Sequence, residues 1–136
     1  MDKAAWRGSH YVYVINYHLV WIPRYRKPVL VGSVANRLKV LLTEIAAQYG
    51  LEILAIEVMS DHVHLFVSAP PKFAPSDLVR YFKGISSRHL MQEFPALRRQ
   101  YWGKNTTLWA ESYYVGTAGH VSAETIKRYI EECQKD

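Results

Sequence analysis

The chain has 136 residues, of which 49% are hydrophobic and 21% are charged. This length suits one compact domain and is too short for two, and the composition excludes a disordered chain, so we expect a single domain over residues 1–136. Seventeen lysines and arginines against twelve acidic residues give a net charge of +5. A basic excess on so small a body favours polyanions as partners.

Cysteine content and apolar runs bear on where the protein works. The single cysteine, Cys133, excludes an internal disulfide, and the first ten residues lack the apolar stretch of an export signal. No apolar run approaches the about 20 residues that span a bilayer. We therefore expect a cytoplasmic protein without membrane contact.

The first half of the chain predicts strand, helix and hairpin. β-Branched and aromatic residues alternate over residues 10–22, which predicts a long strand. A helical apolar period follows, with Ser33 placed to cap the helix and Gly50 to end it. Residues 51–59 and 62–69 are strand-like and are joined only by Ser60 and Asp61, which predicts an antiparallel hairpin.

The second half predicts helix, strand and helix. Ser76 can cap a helix whose stripe is Leu78, Phe82, Ile85 and His89, and Pro95 stops it. A loop over residues 96–109, a short strand over residues 112–119 and a final helix from about residue 122 follow. The order predicts an α+β ferredoxin-like sandwich, βαββαβ, with an antiparallel sheet, both helices on one face and an added C-terminal helix.

Two histidines form the first candidate site. His62 and His64 are two residues apart on a predicted strand, so both imidazoles emerge on one side and can converge on a cation. Imidazole is a common ligand of divalent metals, and two ligands leave positions open for a phosphate. Asp61 either orients a ligand histidine or shapes the turn. The exposed polar face of a half-buried strand would give the same pattern.

A tyrosine on the final helix is the second candidate. Tyr129 and Cys133 are one turn apart and share a face. A phenol can attack phosphorus when a cation neutralises the phosphate, which would leave a phosphotyrosine that permits rejoining. The alternative is core packing, because Ile126, Tyr129, Ile130 and Cys133 also form an ordinary apolar stripe.

Together these features resemble a known family. A His-hydrophobic-His strand followed by one tyrosine on a late helix is similar to the single-tyrosine HUH transposases of small insertion sequences, with the REP-associated tyrosine transposases as relatives. The resemblance covers nearly the whole chain: NYHLVWIPRYRKPVL, LEILAIEVMSDHVHLFVSAPP, YFKGISSRHL and LWAESYYVGTAGHVSAETIKRYIEE.

The resemblance implies a single-stranded DNA endonuclease and strand transferase. It implies that His62 and His64 bind one divalent ion, Mg²⁺ or Mn²⁺, and that Tyr129 attacks single-stranded DNA to leave a 5′-phosphotyrosine and a free 3′-OH. It also implies recognition of imperfect hairpins near element ends, and a homodimer in which the tyrosine helix can complete the partner's active site.

The sequence departs from the family at one position. The family usually has a glutamine one turn after the tyrosine as a third metal ligand, whereas this chain has Cys133 there and Gln134 next. Either Cys133 ligates as a thiolate, or Gln134 reaches the metal, or water fills the position. A thiolate would favour Zn²⁺ over Mg²⁺.

Interleaved basic and aromatic residues are the expected signature of single-strand binding. Eight basic residues are therefore candidate DNA contacts, although solvated loops would look similar. They are Arg24, Arg26, Lys27, Arg80, Lys83, Arg98, Arg99 and Lys104.

Two other functions fit the same residues. One is a domesticated relative that cleaves hairpins without mobilising itself. The other is a non-catalytic nucleic-acid-binding module of the same fold, because one fold hosts many functions.

Overall fold

A four-stranded antiparallel sheet is the centre of the structure. The structure is a computed structural model, and it describes residues 6–7, 12–13, 15–101, 107–117 and 131. Its elements in chain order are β1 (Trp6–Arg7), β2 (Val12–Tyr13), β3 (Asn16–Trp21), a 3₁₀ turn (Arg24–Arg26), α1 (Gly32–Gln48), β4 (Glu52–Met59), β5 (His62–Ser68), α2 (Pro75–Glu93), α3 (Pro95–Arg98) and β6 (Tyr114–Thr117).

The strand order defines the topology. The sheet runs β4-β5-β3-β6, and every neighbouring pair is antiparallel. Strands β3 and β5, between which α1 and β4 intervene in sequence, lie side by side at the centre, as in the split βαββαβ arrangement. The predicted ferredoxin-like α+β fold and the hairpin between β4 and β5 are confirmed.

The hydrophobic core lies between one face of this sheet and the helices. Alternate residues of β3 and β5 are fully buried in it, because successive side chains of a strand point to opposite faces. Burial of each such side chain contributes about 1.5–3 kcal/mol. The buried core residues of these elements are Leu19, Trp21, Val63, Leu65 and Val67 on the strands, with Leu38, Leu41, Leu42 and Ile45 on α1 and Leu78, Phe82 and Leu90 on α2.

The predicted first strand is divided in the structure. Strand β2 pairs with β1 as a separate two-stranded sheet, whereas β3 pairs with β5 and β6. Between them, the carbonyl of Ile15 accepts a hydrogen bond from the Ala69 amide at 3.1 Å. The prediction of one strand over residues 10–22 was wrong because the chain changes its pairing partners, and alternation continues across that change.

Both predicted serine caps were wrong. Helix α1 begins at Gly32, one residue before Ser33, and its N-cap Val31 makes no side-chain cap hydrogen bond. Helix α2 begins at Pro75, whose fixed φ suits the first helical position. There the carboxylate of Asp77 accepts a hydrogen bond from the Ala74 amide at 3.0 Å. This bond satisfies a backbone N–H at the helix start, as a capping side chain would.

The helix ends agree better with the sequence. Helix α1 ends at Gln48, and Gly50 has φ +67°, the left-handed conformation expected of a terminating glycine. Helix α2 ends at Glu93, before Pro95, as predicted.

Three further expectations needed correction. Pro95 begins the short helix α3 within the predicted loop, since proline is well suited to a first helical position. On α2, His89 is only partly buried and lies beside Glu93, and Ser86 and Leu90 occupy the buried face instead. The last strand begins at Tyr114, after Ser112 and Tyr113, and pairs with β3 over Tyr114–Thr117.

The two remaining expectations concern the C-terminal helix and membrane contact. Apart from Glu131, which is helical, the predicted final helix from about residue 122 lies outside the described residues. Within the described residues, none of the helices is long and apolar enough to cross a membrane.

Candidate functional site

The candidate histidines lie on the sheet face opposite the core. His62 and His64 alternate with the fully buried Val63 and Leu65, so their imidazoles point away from the helices. The two rings are 4.8 Å apart between centroids and nearly perpendicular, at 68°. This placement agrees with the orientation predicted from their spacing.

A carboxylate lies behind the first histidine. His62 Nδ1 donates to Asp61 Oδ1 at 2.8 Å, and Asp61 Oδ2 is 3.3 Å from Arg26 Nε. An ionised carboxylate only accepts hydrogen bonds, so this contact places the His62 proton on Nδ1 and leaves the lone pair on Nε2. Nε2 is therefore the atom of His62 that can bind a cation.

The second histidine contacts another imidazole. His64 Nδ1 is 3.1 Å from Nε2 of His18, a buried residue on β3. Burial, the largest cause, and the positive charges of His62 and His18 together lower the pKa of His64 to about 4, against the opposing effect of Glu57 on the neighbouring strand. Burial likewise lowers the pKa of His18. His64 is therefore neutral at pH 7, which is the state in which imidazole binds a metal.

These residues fit part of a divalent-cation site. Each candidate ligand has its Nδ1 in a hydrogen-bond contact, so Nε2 is the nitrogen that can bind a metal when the ring proton lies on Nδ1, the usual arrangement of metal-binding histidines. Within the described ranges there is no group of three or more histidine, cysteine or acidic side chains that could hold a metal. Tyr129, Cys133 and Gln134 lie outside the described residues, so their roles stay predictions.

The 3₁₀ turn after β3 adjoins this site. Tyr25 and Arg26 have φ of 60° and 49°, left-handed values that non-glycine residues rarely adopt. The turn is held by the Arg24 amide, which donates to the carbonyl of Leu108 at 2.8 Å. This backbone conformation accompanies the contact between Arg26 and Asp61, so one of the predicted DNA-binding arginines supports a candidate ligand.

A basic groove lies between α2, α3 and the segment over residues 107–111. Its volume is about 890 Å³, and its charged lining residues include three arginines, one lysine and one glutamate. Two of the predicted DNA-binding arginines meet there with Arg88, which the sequence did not single out because it lies in an ordinary helical stretch. The charged lining residues are Arg24, Lys83, Arg88, Arg98 and Glu111.

The remaining predicted DNA contacts are dispersed or structurally engaged. The Lys83 ammonium donates to the carbonyls of Ala110, Glu111 and Ser112. These hydrogen bonds hold residues 110–112 against α2. Lys27 donates to the Gln100 carbonyl at 3.1 Å, and Arg80 pairs with Asp77. Arg99 is exposed outside the groove lining, and Lys104 lies outside the described residues.

No role for His18 was predicted from the sequence. Strand alternation places His18 on one face of β3, but it does not show which residue on a neighbouring strand His18 contacts. Contact with His64 depends on the register in which His18 opposes Phe66 and Val20 opposes His64, and this register joins segments 46 residues apart.

The structure thus combines a ferredoxin-like sheet with a pair of histidines on the sheet face opposite the core. The family described as IS200-like transposases matches residues 11–133. The chain belongs to this family, and it is therefore a DNA-processing enzyme of the tyrosine transposase class.

Two curated relatives support this assignment along most of the chain. The chain is 46% identical over 125 residues to the ISDra2 transposase TnpA of Deinococcus radiodurans, covering 92% of this chain and 88% of the relative. It is 32% identical over 127 residues to the transposase of insertion sequence element IS200 from Salmonella typhimurium, covering 91% and 82%. The family predicted from the sequence is confirmed.

Solved structures agree with the fold. A crystal structure of a candidate transposase from Deinococcus radiodurans has a TM-score of 0.85 and 43% identity, covering 93% of this chain and 96% of that one. A REP-associated tyrosine transposase bound to a REP hairpin has a TM-score of 0.58 at 13% identity, covering 98% and 70%. The second likeness shows a shared fold.

Proposed function

We propose that this transposase cleaves and rejoins single-stranded DNA at hairpin-bearing element ends, with Tyr129 as the nucleophile and a divalent ion at His62 and His64. The observation that carries the proposal is the histidine pair on the sheet face opposite the core, with each Nδ1 in a hydrogen-bond contact and Nε2 as the nitrogen on which a metal would bind. The solved relative bound to a REP hairpin supports a hairpin substrate.

The proposed chemistry is two phosphoryl transfers. The Tyr129 oxygen attacks a backbone phosphorus, the bond from phosphorus to the 3′ oxygen breaks, and that oxygen leaves with a proton as a free 3′-OH. A 3′-OH later attacks the phosphotyrosine and releases the tyrosine, so no external energy source is needed. His62 and His64 would hold Mg²⁺ or Mn²⁺, which when bound offsets negative charge on the phosphate.

The third ligand and the assembly belong to the same proposal. Cys133, Gln134 or water would supply the third ligand, with Zn²⁺ favoured if the Cys133 thiolate ligates. We further propose a homodimer whose active sites can be completed by the partner's tyrosine helix. The basic groove with Arg24, Arg88 and Arg98 is the surface whose charge suits a DNA backbone.

The decisive experiment follows the covalent adduct. A labelled single-stranded oligonucleotide that forms an imperfect hairpin is incubated with Mn²⁺ or Mg²⁺ and resolved on a denaturing gel. We expect a protein-DNA adduct with the wild type, and none with Tyr129→Phe or His64→Ala.

The control is Tyr113→Phe, which removes the hydroxyl of a partly exposed tyrosine before β6 and should leave the adduct unchanged. Cleavage that survives in Tyr129→Phe would overturn the tyrosine mechanism. Hairpin binding without cleavage in any divalent ion would instead indicate a binding module.

A further inference from the structure

His18 is a buried polar residue to which the proposed chemistry gives no task. Its side chain is 3% exposed, and its imidazole stacks on Phe66 with 4.1 Å between centroids and 12° between planes. The Tyr114 ring packs against it edge-on at 6.0 Å. These contacts hold the ring in the orientation that places Nε2 3.1 Å from His64 Nδ1.

The contact between His18 and His64 allows two proton arrangements. A neutral imidazole carries one N–H and one lone pair, so one ring donates and the other accepts. If His18 donates, the His64 proton must lie on Nε2, which removes the lone pair that a metal bond requires. If His64 donates from Nδ1, its Nε2 lone pair is free.

We propose that His18 is a positioning residue that accepts the Nδ1–H of His64 and so holds His64 in the tautomer whose Nε2 can bind a cation. This inference rests on the proposed role of His64 as a metal ligand. It gives His64 the counterpart of the Asp61 carboxylate behind His62, so each candidate ligand has its own acceptor.

Asp61 and His18 differ as hydrogen-bond partners of the two candidate ligands. Asp61 can only accept, whereas His18 can do either, and its other nitrogen, Nδ1, is buried without a hydrogen-bond partner among the described residues. In the metal-competent arrangement the His18 proton lies on that Nδ1. The proposed role of His18 therefore requires a hydrogen-bond acceptor at the position of Nε2. A side chain of similar size without an acceptor cannot fill this role.

Substitutions of His18 separate the acceptor from the shape. Glutamine places a carbonyl oxygen near the position of Nε2, asparagine reaches only the position of Nδ1, and phenylalanine keeps the ring without an acceptor. Mn²⁺ affinity is measured without DNA, from the electron paramagnetic resonance signal of free Mn²⁺. We expect His18→Gln to stay close to the wild type, and His18→Asn and His18→Phe to bind about 10–100-fold more weakly.

Two controls accompany this measurement. His89→Phe makes the same change at a partly buried position of α2, beside Glu93, and should bind Mn²⁺ as the wild type does. Thermal unfolding of each variant shows whether the fold is retained. If His18→Phe does not fold, the tautomer measurement on the wild type decides the question alone.

The tautomer is read directly by long-range ¹H–¹⁵N correlation spectra of the metal-free protein. We expect the His64 proton on Nδ1 in the wild type and in His18→Gln. A His64 proton on Nε2, or unchanged Mn²⁺ affinity in His18→Phe and His18→Asn, would overturn the positioning role alone. A wild type that binds Mn²⁺ no better than His64→Ala would overturn the proposed metal site, and the role of His18 with it.

Discussion

Asp61 joins two basic groups through its two carboxylate oxygens. Oδ1 accepts from His62, and Oδ2 faces the Arg26 guanidinium, with both partners of the ion pair only partly exposed. The arginine fixes the carboxylate, and the carboxylate fixes the tautomer and direction of the imidazole. Asp61 thus contacts a candidate ligand as well as lying in the hairpin turn.

The Asp61→Asn substitution tests this contact. An amide keeps the size of the side chain but loses the charge and can present an N–H to His62 instead of an acceptor. We expect Mn²⁺ affinity to fall by about 10–100-fold, measured by titration without DNA. Asp77→Asn, at the start of α2, is the matched control and should leave the affinity unchanged. Wild-type affinity in Asp61→Asn would show that the contact only shapes the turn.

The site was predictable from sequence where it depends on neighbours in the chain. The spacing of His62 and His64 predicts a shared face because strand side chains alternate, and Asp61 adjoins His62 directly. The contact of His18 with His64 was not predictable, because nothing local sets the register between β3 and β5. Arg88 was missed for a similar reason, since α2, α3 and the segment over residues 107–111 create the groove together.

At the scale of elements, α2 anchors the segment over residues 107–111. The Ser86 hydroxyl accepts from Trp109 Nε1 at 3.0 Å and donates to the Phe82 carbonyl, and the Ser87 hydroxyl accepts the Leu108 amide at 3.1 Å. Both serines and Trp109 are buried. These bonds fix one wall of the basic groove against the helix.

Removal of the Ser86 hydroxyl should loosen this wall. In Ser86→Ala the buried Trp109 N–H loses its acceptor, which costs about 1–3 kcal/mol because the donor has left water without a replacement. The free energy of unfolding in urea measures the loss. Ser76→Ala, an exposed change in the first turn of α2, should stay within about 0.5 kcal/mol of the wild type. Equal stability of the two variants would contradict a structural role for the bond.

Element types were easier to predict than their boundaries. The apolar periods of α1, α2, β4 and β5 reflect burial, which dominates the energy of a domain. Helix starts depend on weaker contributions, and Pro75 with Asp77 replaced the expected serine at one of them. The break before β3 reflects a change of strand partner, which alternation does not record.

At the scale of the whole molecule, one short turn belongs to two functional surfaces. Arg26 contacts Asp61 beside the histidines, whereas Arg24, two residues earlier, lines the basic groove. The Leu30 amide also donates to the Ser60 carbonyl at 3.0 Å, which ties the segment after the turn to the β4–β5 hairpin. The groove and the candidate site are thus joined through a continuous, hydrogen-bonded stretch of backbone.

If the groove holds the DNA backbone, its arginines should set the salt dependence of binding. Each phosphate contact with a single strand contributes about 0.7 to the slope of log affinity against log salt concentration, because bound cations are released. Replacing Arg88 and Arg98 by glutamine together should reduce that slope by about 1.4. Fluorescence anisotropy of a labelled hairpin oligonucleotide, without divalent ions and from about 50 to 200 mM salt, measures it.

A charge-matched control separates local contact from net charge. Lys39→Gln with Lys72→Gln also removes two positive charges, but from exposed positions on α1 and before α2 that do not line the groove. If the groove binds phosphate, this pair lowers affinity slightly through the long-range field and leaves the slope near the wild-type value. Equal slopes for the two double variants would mean that the protein attracts DNA only by its overall charge, and the backbone path would then have to lie elsewhere.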